Sequence, residues 1–263
     1  MYNIYIMDIV LQGSANAYTL IVAKYYLNIH FVNNVIISCW TTDDIETDNP
    51  RIKIIKNTDV DNPGFQNRNR QIKSSLEGLK RVTTDFSVKI RSDQKIYIYD
   101  MYLLYNFYNE HKNRKIIQAN DVMKPRNMIG ILGIYPIFPF HPHDHIFWGN
   151  TQDLIELFDC PYCTSTPDGG EGFDSVMRAE AYIVIHYLAK FEPKIYNYIE
   201  NKKTYLVDYS PKIDEALQTS DYIMDKVFQV FPRIDYEWPK NNPEHYSYEL
   251  RKNNYGFYWY SSR

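Results

Sequence analysis

Arg68, Arg70, Arg91 and Asp93 fall within one stretch, NRNRQIKSSLEGLKRVTTDFSVKIRSD, running from Asn67 to Asp93. A guanidinium group binds oxyanions through a planar fork of N–H donors. A carboxylate offers oxygen to hard divalent cations. In open α/β sheets, ligands lie just beyond the carboxyl ends of the strands. Basic residues leading into a strand that ends Arg-Ser-Asp therefore suggest a seat for an anion and a cation together. A nucleoside diphosphate with its divalent metal has that chemistry.

Periodicity shows what must position these groups. Ile72, Leu76, Leu79 and Val82 recur at helical spacing and predict one buried helix face. Phe86, Val88 and Ile90 then alternate with Ser87, Lys89 and Arg91, the period of a strand, with the second set on the opposite face. Upstream, residues 3–11 read as a buried strand, followed by a helix to about Leu27. Further strands are expected over 35–39 and 51–56. Downstream, the pattern predicts a helix over 97–108 and a strand over 115–119. The apolar run 129–140 is interrupted by two prolines and cannot be a central strand throughout. A short helix is expected over 151–158, one capped by Asp174 and reaching Phe191, and another around 213–230, before an aromatic tail to Tyr260. Strands alternating with helices make βαβ units and a mostly parallel sheet.

The totals bound the class. The chain has 263 residues, enough for a substantial core, and no composition break or repeat divides it. A single domain, 1–263, is expected, with 1–125 as a nucleotide-binding half and 126–263 as a second half with C-terminal helices. Net charge is −3, so no global electrostatic case exists for nucleic acid. The 25 tyrosines beside only 10 glycines fit an A/T-rich genome, and tyrosine rings also suit sugar faces. The start lacks a signal-peptide pattern, and no stretch is apolar enough to span a bilayer. Three cysteines, an odd number, argue against a disulfide framework and for a reducing cytoplasmic setting.

Gln12-Gly13, Ser38 with Trp40, Asn67 with Arg70-Gln71-Ile72, and Lys89-Ile90-Arg91-Ser92-Asp93 together resemble the WavE lipopolysaccharide-synthesis family. The run His143-Asp144-His145-Ile146-Phe147-Trp148-Gly149 and Arg178-Ala179-Glu180-Ala181-Tyr182 are similar to that family's later motifs. The resemblance spans roughly residues 3 to 185. It implies a glycosyltransferase-like protein of bacteria or large DNA viruses, with a GT-A-type Rossmann-like α/β/α sandwich and a mostly parallel central sheet. It further implies a metal-dependent hexosyltransferase taking a nucleotide-sugar donor, a UDP-sugar above others, and a glycan or glycolipid acceptor. The metal would be Mn or Mg. The family's short acidic motif, usually Asp-X-Asp, reads Arg91-Ser92-Asp93 here, which makes Asp93 the principal protein ligand for the metal.

The remaining roles follow from residue chemistry. Gly13 would let backbone approach a ligand, with Gln12 and Ser14 beside it near the base and ribose. Trp40 could stack on the base, or serve as a core Trp. Asp43 or Asp44, after the second strand, could bond base or ribose. Arg70 would reach phosphate or form a surface ion pair; Arg91 would contact phosphate or pair with Asp43 or Asp44. For Lys89 a structural ion pair is expected. An inverting transferase needs a general base, and Asp144 is the leading candidate, with Glu171 and Glu180 in reserve.

Two other classes compete. His141, His143, Asp144 and His145 could form a zinc-hydrolase site, or the histidines could join Cys160 and Cys163 around structural zinc. Alternatively the chain could be a non-catalytic nucleotide- or glycan-binding protein with a transferase fold.

Overall fold

The computed structural model describes residues 6–111, 129–132, 140–164, 179–190, 195, 224, 227–230 and 236–237. In chain order its elements are β1 (Met7–Gln12), α1 (Ala17–Tyr26), β2 (Val32–Trp40), β3 (Ile52–Asn57), α2 (Arg68–Leu79), β4 (Phe86–Arg91), β5 (Lys95–Ile96) and α3 (Ile98–His111), then β6 (Ile129–Ile131), β7 (Ile146–Asn150), α4 (Thr151–Phe158), α5 (Ala179–Leu188), β8 (Phe228–Val230) and β9 (Tyr236–Glu237). Seven strands form the main sheet in the order β3-β2-β1-β4-β7-β6-β8. Among the described strands of this sheet, only β7 runs against its neighbours. Strands β5 and β9 pair separately.

The alternation along β1 explains the layers. Ile9 and Leu11 pack on one side of the sheet with Val22 and Tyr26 of α1 and with Met101 and Leu104 of α3. Val10 packs on the other with Ile72 and Leu79 of α2, Leu157 of α4 and Tyr187 of α5. A sheet covered on both faces buries nearly every strand residue. The result is an α/β/α sandwich with a mostly parallel central sheet, as expected.

That double coverage corrects two readings. Lys89 and Ser87 lie on the face expected to be polar, yet both are fully buried, because β4 sits between β1 and β7 under helices on either side. Residues 228–230, expected to end a helix, form a strand that pairs with β6, Ile129 opposite Phe228. Without that partner β6 would leave a row of backbone donors and acceptors exposed at the sheet's edge. Within the apolar run 129–140, Ile129–Ile131 form strand, and 133–139, which hold both prolines, lie outside the described residues. The expectations over 115–119, at Asp174 and in the aromatic tail lie outside the described residues.

Gly130 faces Trp148 across the β6–β7 pair. A Cβ there would stand 1.9 Å from the indole ring of Trp148, which is fully buried. Gly130→Ala is therefore expected to destabilise the protein by about 2 kcal/mol or more through overpacking. Chemical denaturation of the variant checks this, and an unchanged midpoint would count against the close contact.

Candidate active site

Strand order reverses between β1 and β4. From β1 the chain moves outward through β2 and β3, then returns to the other side of β1 with β4. Such a switch point opens a crevice at the carboxyl ends of the two strands. There Gln12 and Arg91 are register partners, so the two motifs Gln12-Gly13-Ser14 and Arg91-Ser92-Asp93 lie side by side.

Ser92 joins them. Its amide donates to the Gln12 carbonyl at 2.9 Å, and its hydroxyl donates to the Ser14 carbonyl. Its own carbonyl accepts from the Thr19 hydroxyl at 3.1 Å. Gly13, at φ +117°, occupies a backbone region that disfavours side chains, and a Cβ there would sit 3.1 Å from the Ser92 hydroxyl. The Gln12 side chain is buried and donates to Ser74 of α2 at 2.9 Å. Ser14 is exposed. At the end of β2, Trp40 is only 7% exposed. Its amide, with that of Ala15, donates to the Asp43 carboxylate at 2.9 and 3.0 Å. Asp43 thus ties two loops at the crevice together, while Asp44 is exposed beside it.

Arg91 is the centre of the charged group. Its Nε and Nη2 donate to the two oxygens of Asp93 at 3.0 and 2.9 Å. Its Nη1 donates to Asp144 at 2.8 Å. Asp93 and Asp144 thus stand where Asp43 or Asp44 was expected to pair with Arg91. All three side chains keep some contact with solvent, at 26% for Arg91, 31% for Asp93 and 20% for Asp144. Burial opposes charge on the Asp144 carboxyl, but His145, Arg91 and Lys89 outweigh it and hold it well below the usual carboxylate range. Burial likewise opposes charge on Arg91, and its bonds to Asp93 and the charge of Asp144 more than reverse this.

Lys89 lies behind this group. Its ammonium donates to the Asp144 carbonyl at 3.0 Å rather than forming the expected ion pair, and stands over the rings of Phe147 and Phe158. Burial pushes it down from 10.5 to about 8, with Asp144 opposing. Between those values the unfolded chain holds a proton that the folded chain does not. The contribution of Lys89 to stability is therefore fullest above the ordinary lysine range and is lost as pH falls through about 8. Relative to Lys89→Met, the wild type should gain about 3 kcal/mol of unfolding free energy between pH 8 and 10.5. A pH-independent difference between the two proteins would refute it.

Arg70 and Arg68 make their contacts elsewhere, His145 Nδ1 lies 3.7 Å from Asp144, and Glu171 lies outside the described residues. Arg70, on the first turn of α2, makes a two-pronged ion pair with Asp59 and bonds the Asn67 side chain at 3.1 Å. Arg68, expected to help bind an anion, is fully buried with its guanidinium 4.5 Å from the Tyr182 ring centre. The zinc readings do not assemble among the described residues. His141 Nε2 meets Glu180 at 3.1 Å, His145 Nδ1 meets Gln94, and Asp144 is on Arg91. Burial pushes the Cys160 thiol up to about 12, and Cys163 lies in the core beside Gly64.

A divalent cation in the crevice would take oxygen from Asp93. Both of those oxygens already accept from Arg91, whose positive charge would repel a second cation at that distance. Among the described residues, no group of three or more His, Cys, Asp or Glu side chains is placed to hold a metal ion. Among the described residues, the donor set as arranged does not fit a resident divalent cation.

The sequence model for WavE lipopolysaccharide synthesis matches residues 29–184, more than half of the chain. The chain belongs to the WavE family. The matched residues take in β2 through α4 and most of α5. No curated protein matches this chain. Among solved structures it is similar to S. aureus TarS 1-349, at 11% identity and a TM-score of 0.41, covering 83% of this chain and 71% of that one. The same S. aureus fragment in complex with UDP matches at 14% identity and a TM-score of 0.31, over 49% of this chain and 36% of that one. HddC from Yersinia pseudotuberculosis matches at 12% identity and a TM-score of 0.36, over 60% and 80%. Among the described residues of the WavE protein, no helix is long and apolar enough to cross a membrane.

Sequence reasoning named Asp93, Asp144 and Arg91 singly and missed their mutual pairing. It also missed Ser92 as the clasp between β1 and β4. A serine directly between Arg91 and Asp93 at the switch point was the available signal.

Proposed function

We propose that this WavE protein transfers a sugar from a nucleotide-sugar donor, a UDP-sugar first among the candidates, to a glycan or glycolipid acceptor of the lipopolysaccharide type. The observation that carries this reading is the meeting of Gln12-Gly13-Ser14 with Arg91-Ser92-Asp93 at the β1–β4 switch point. Membership of a lipopolysaccharide-synthesis family supports it.

In this reading the nucleoside lies over Gly13 and Ser14, with Trp40 and Asp44 at its edge. The diphosphate lies beside Arg91, and Arg70 stands at the mouth on α2. Asp144 takes the proton of the acceptor hydroxyl as that oxygen bonds the sugar carbon. In its pairing with Arg91 this carboxylate is a weak base. It strengthens when the diphosphate draws the guanidinium away.

Thermal denaturation with a panel of nucleotide sugars tests the proposal. A donor at 100 times its dissociation constant should stabilise the protein by about 2.7 kcal/mol. Release of the nucleoside diphosphate, with or without a glycan acceptor, should accompany it. Stabilisation without any release would favour the non-catalytic binding protein instead. The absence of stabilisation by every nucleotide sugar would remove the reading.

A further inference from the structure

We propose that Arg91 takes the part of a divalent cation, its guanidinium meeting the departing diphosphate directly, so that donor binding and transfer run without metal. The inference rests on the nucleotide-sugar reading above and deepens it.

The geometry is that of a seated cation. Two carboxylates from distant parts of the chain converge on one positive group, Asp93 with both oxygens and Asp144 with one. A metal at such a place would be held by these same oxygens. Here the first acidic position of the expected Asp-X-Asp motif is itself the cation. The Arg91 guanidinium already places a positive charge between Asp93 and Asp144, and the Lys89 ammonium lies behind them, so an added divalent ion would meet like charge there.

A competing seat for phosphate is the start of α1, which follows β1 and opens on the same crevice. Two of its first-turn amides, at Tyr18 and Thr19, are already taken by the Asn16 side chain at 2.9 and 3.3 Å. That leaves the guanidinium as the better partner for a diphosphate, which its planar fork can bond at two oxygens.

The step balances without a further reagent. The bond from the sugar's anomeric carbon to the diphosphate oxygen breaks, and its electron pair leaves with the diphosphate. The acceptor oxygen forms the new bond to that carbon, and its proton passes to Asp144. Arg91 exchanges its bond to Asp144 for one to the diphosphate, while Asp93 keeps the guanidinium in place.

Calorimetric titration of the full chain with UDP, GDP and dTDP, each in EDTA and in manganese, tests this. The nucleotide that binds should do so with affinities agreeing within about twofold in the two conditions, well inside the tenfold step that 1.4 kcal/mol represents. Arg91→Ala should weaken binding in EDTA by about 10- to 100-fold, the range for a lost charge-assisted hydrogen bond. Arg91→Asp, which restores the acidic pattern, should bind in manganese and not in EDTA. Arg91→Lys, which keeps the charge but not the fork, should bind more weakly than wild type and still without metal. Melting curves establish that each variant is folded. If the wild type loses more than about tenfold affinity on going from manganese to EDTA, the Arg91 proposal is overturned and the donor reading stands. If none of the three diphosphates binds in either condition, both are overturned.

Discussion

Asp144→Asn is expected to lower turnover by about 100- to 10,000-fold, the usual contribution of a positioned general base, and to leave donor affinity unchanged or slightly tighter. Asparagine has nearly the same shape, and its side-chain carbonyl can still accept from Arg91 Nη1, now 2.8 Å from Asp144. What it loses is the ability to take a proton. It also removes one negative charge from beside Arg91 and Lys89, which lets them attract the diphosphate more strongly. Steady-state kinetics with a calorimetric affinity for the donor separates the effects. Near-normal turnover removes Asp144 as the base. A loss confined to affinity would make it a binding residue, acting through Arg91.

The largest expected effect on stability lies at the opposite end of the sheet. Asp8, on β1, is fully buried. One of its oxygens accepts from the Asn34 amide at 2.9 Å and from the side chains of Asn33 and Asn34, each at 3.1 Å. The other accepts from the amide and hydroxyl of Thr83 at 2.7 and 2.9 Å. One carboxylate thus ties the amino end of β1 to the start of β2 and to the turn before β4. Asp8→Ala should cost about 3 kcal/mol or more, because each bond to a charged acceptor contributes and the donors lose their partner together. Part of the loss is recovered by water, since Thr83 is exposed. The fraction that remains folded should bind nucleotide as the wild type does, because the carboxyl-end crevice is untouched. Urea denaturation measures the first expectation and titration at low temperature the second. A stability change below about 1 kcal/mol, the scale of an ordinary surface substitution or single neutral bond, would mean that the five bonds are not jointly held.

These two residues illustrate what could be read in advance. The strand and helix around the central stretch were legible because their apolar spacing is local: α2 and β4 fall where the helical and alternating patterns place them. The helix at Thr151–Phe158 was equally legible, between a turn and a loop. Lys89 was not. Alternation assigns it to one face of a strand, but only the packing of β4 between β1 and β7 shows that both faces are covered. Strand β8 was missed because its pairing partner β6 lies about a hundred residues away in the chain, and pairing is a long-range property.

The same division holds for the site. By itself the sequence determined a chain of βαβ units, a strand ending in Arg91-Ser92-Asp93, and a family whose model spans that motif. Tertiary structure alone decided that Asp144, 53 residues from Arg91, shares its guanidinium with Asp93, that Asp59 engages Arg70, and that Arg68 is interior. The physical reason is that periodicity records which face of an element is apolar. An ion pair depends on which elements become neighbours, and here β7 brings Asp144 to the end of β4 by running against it.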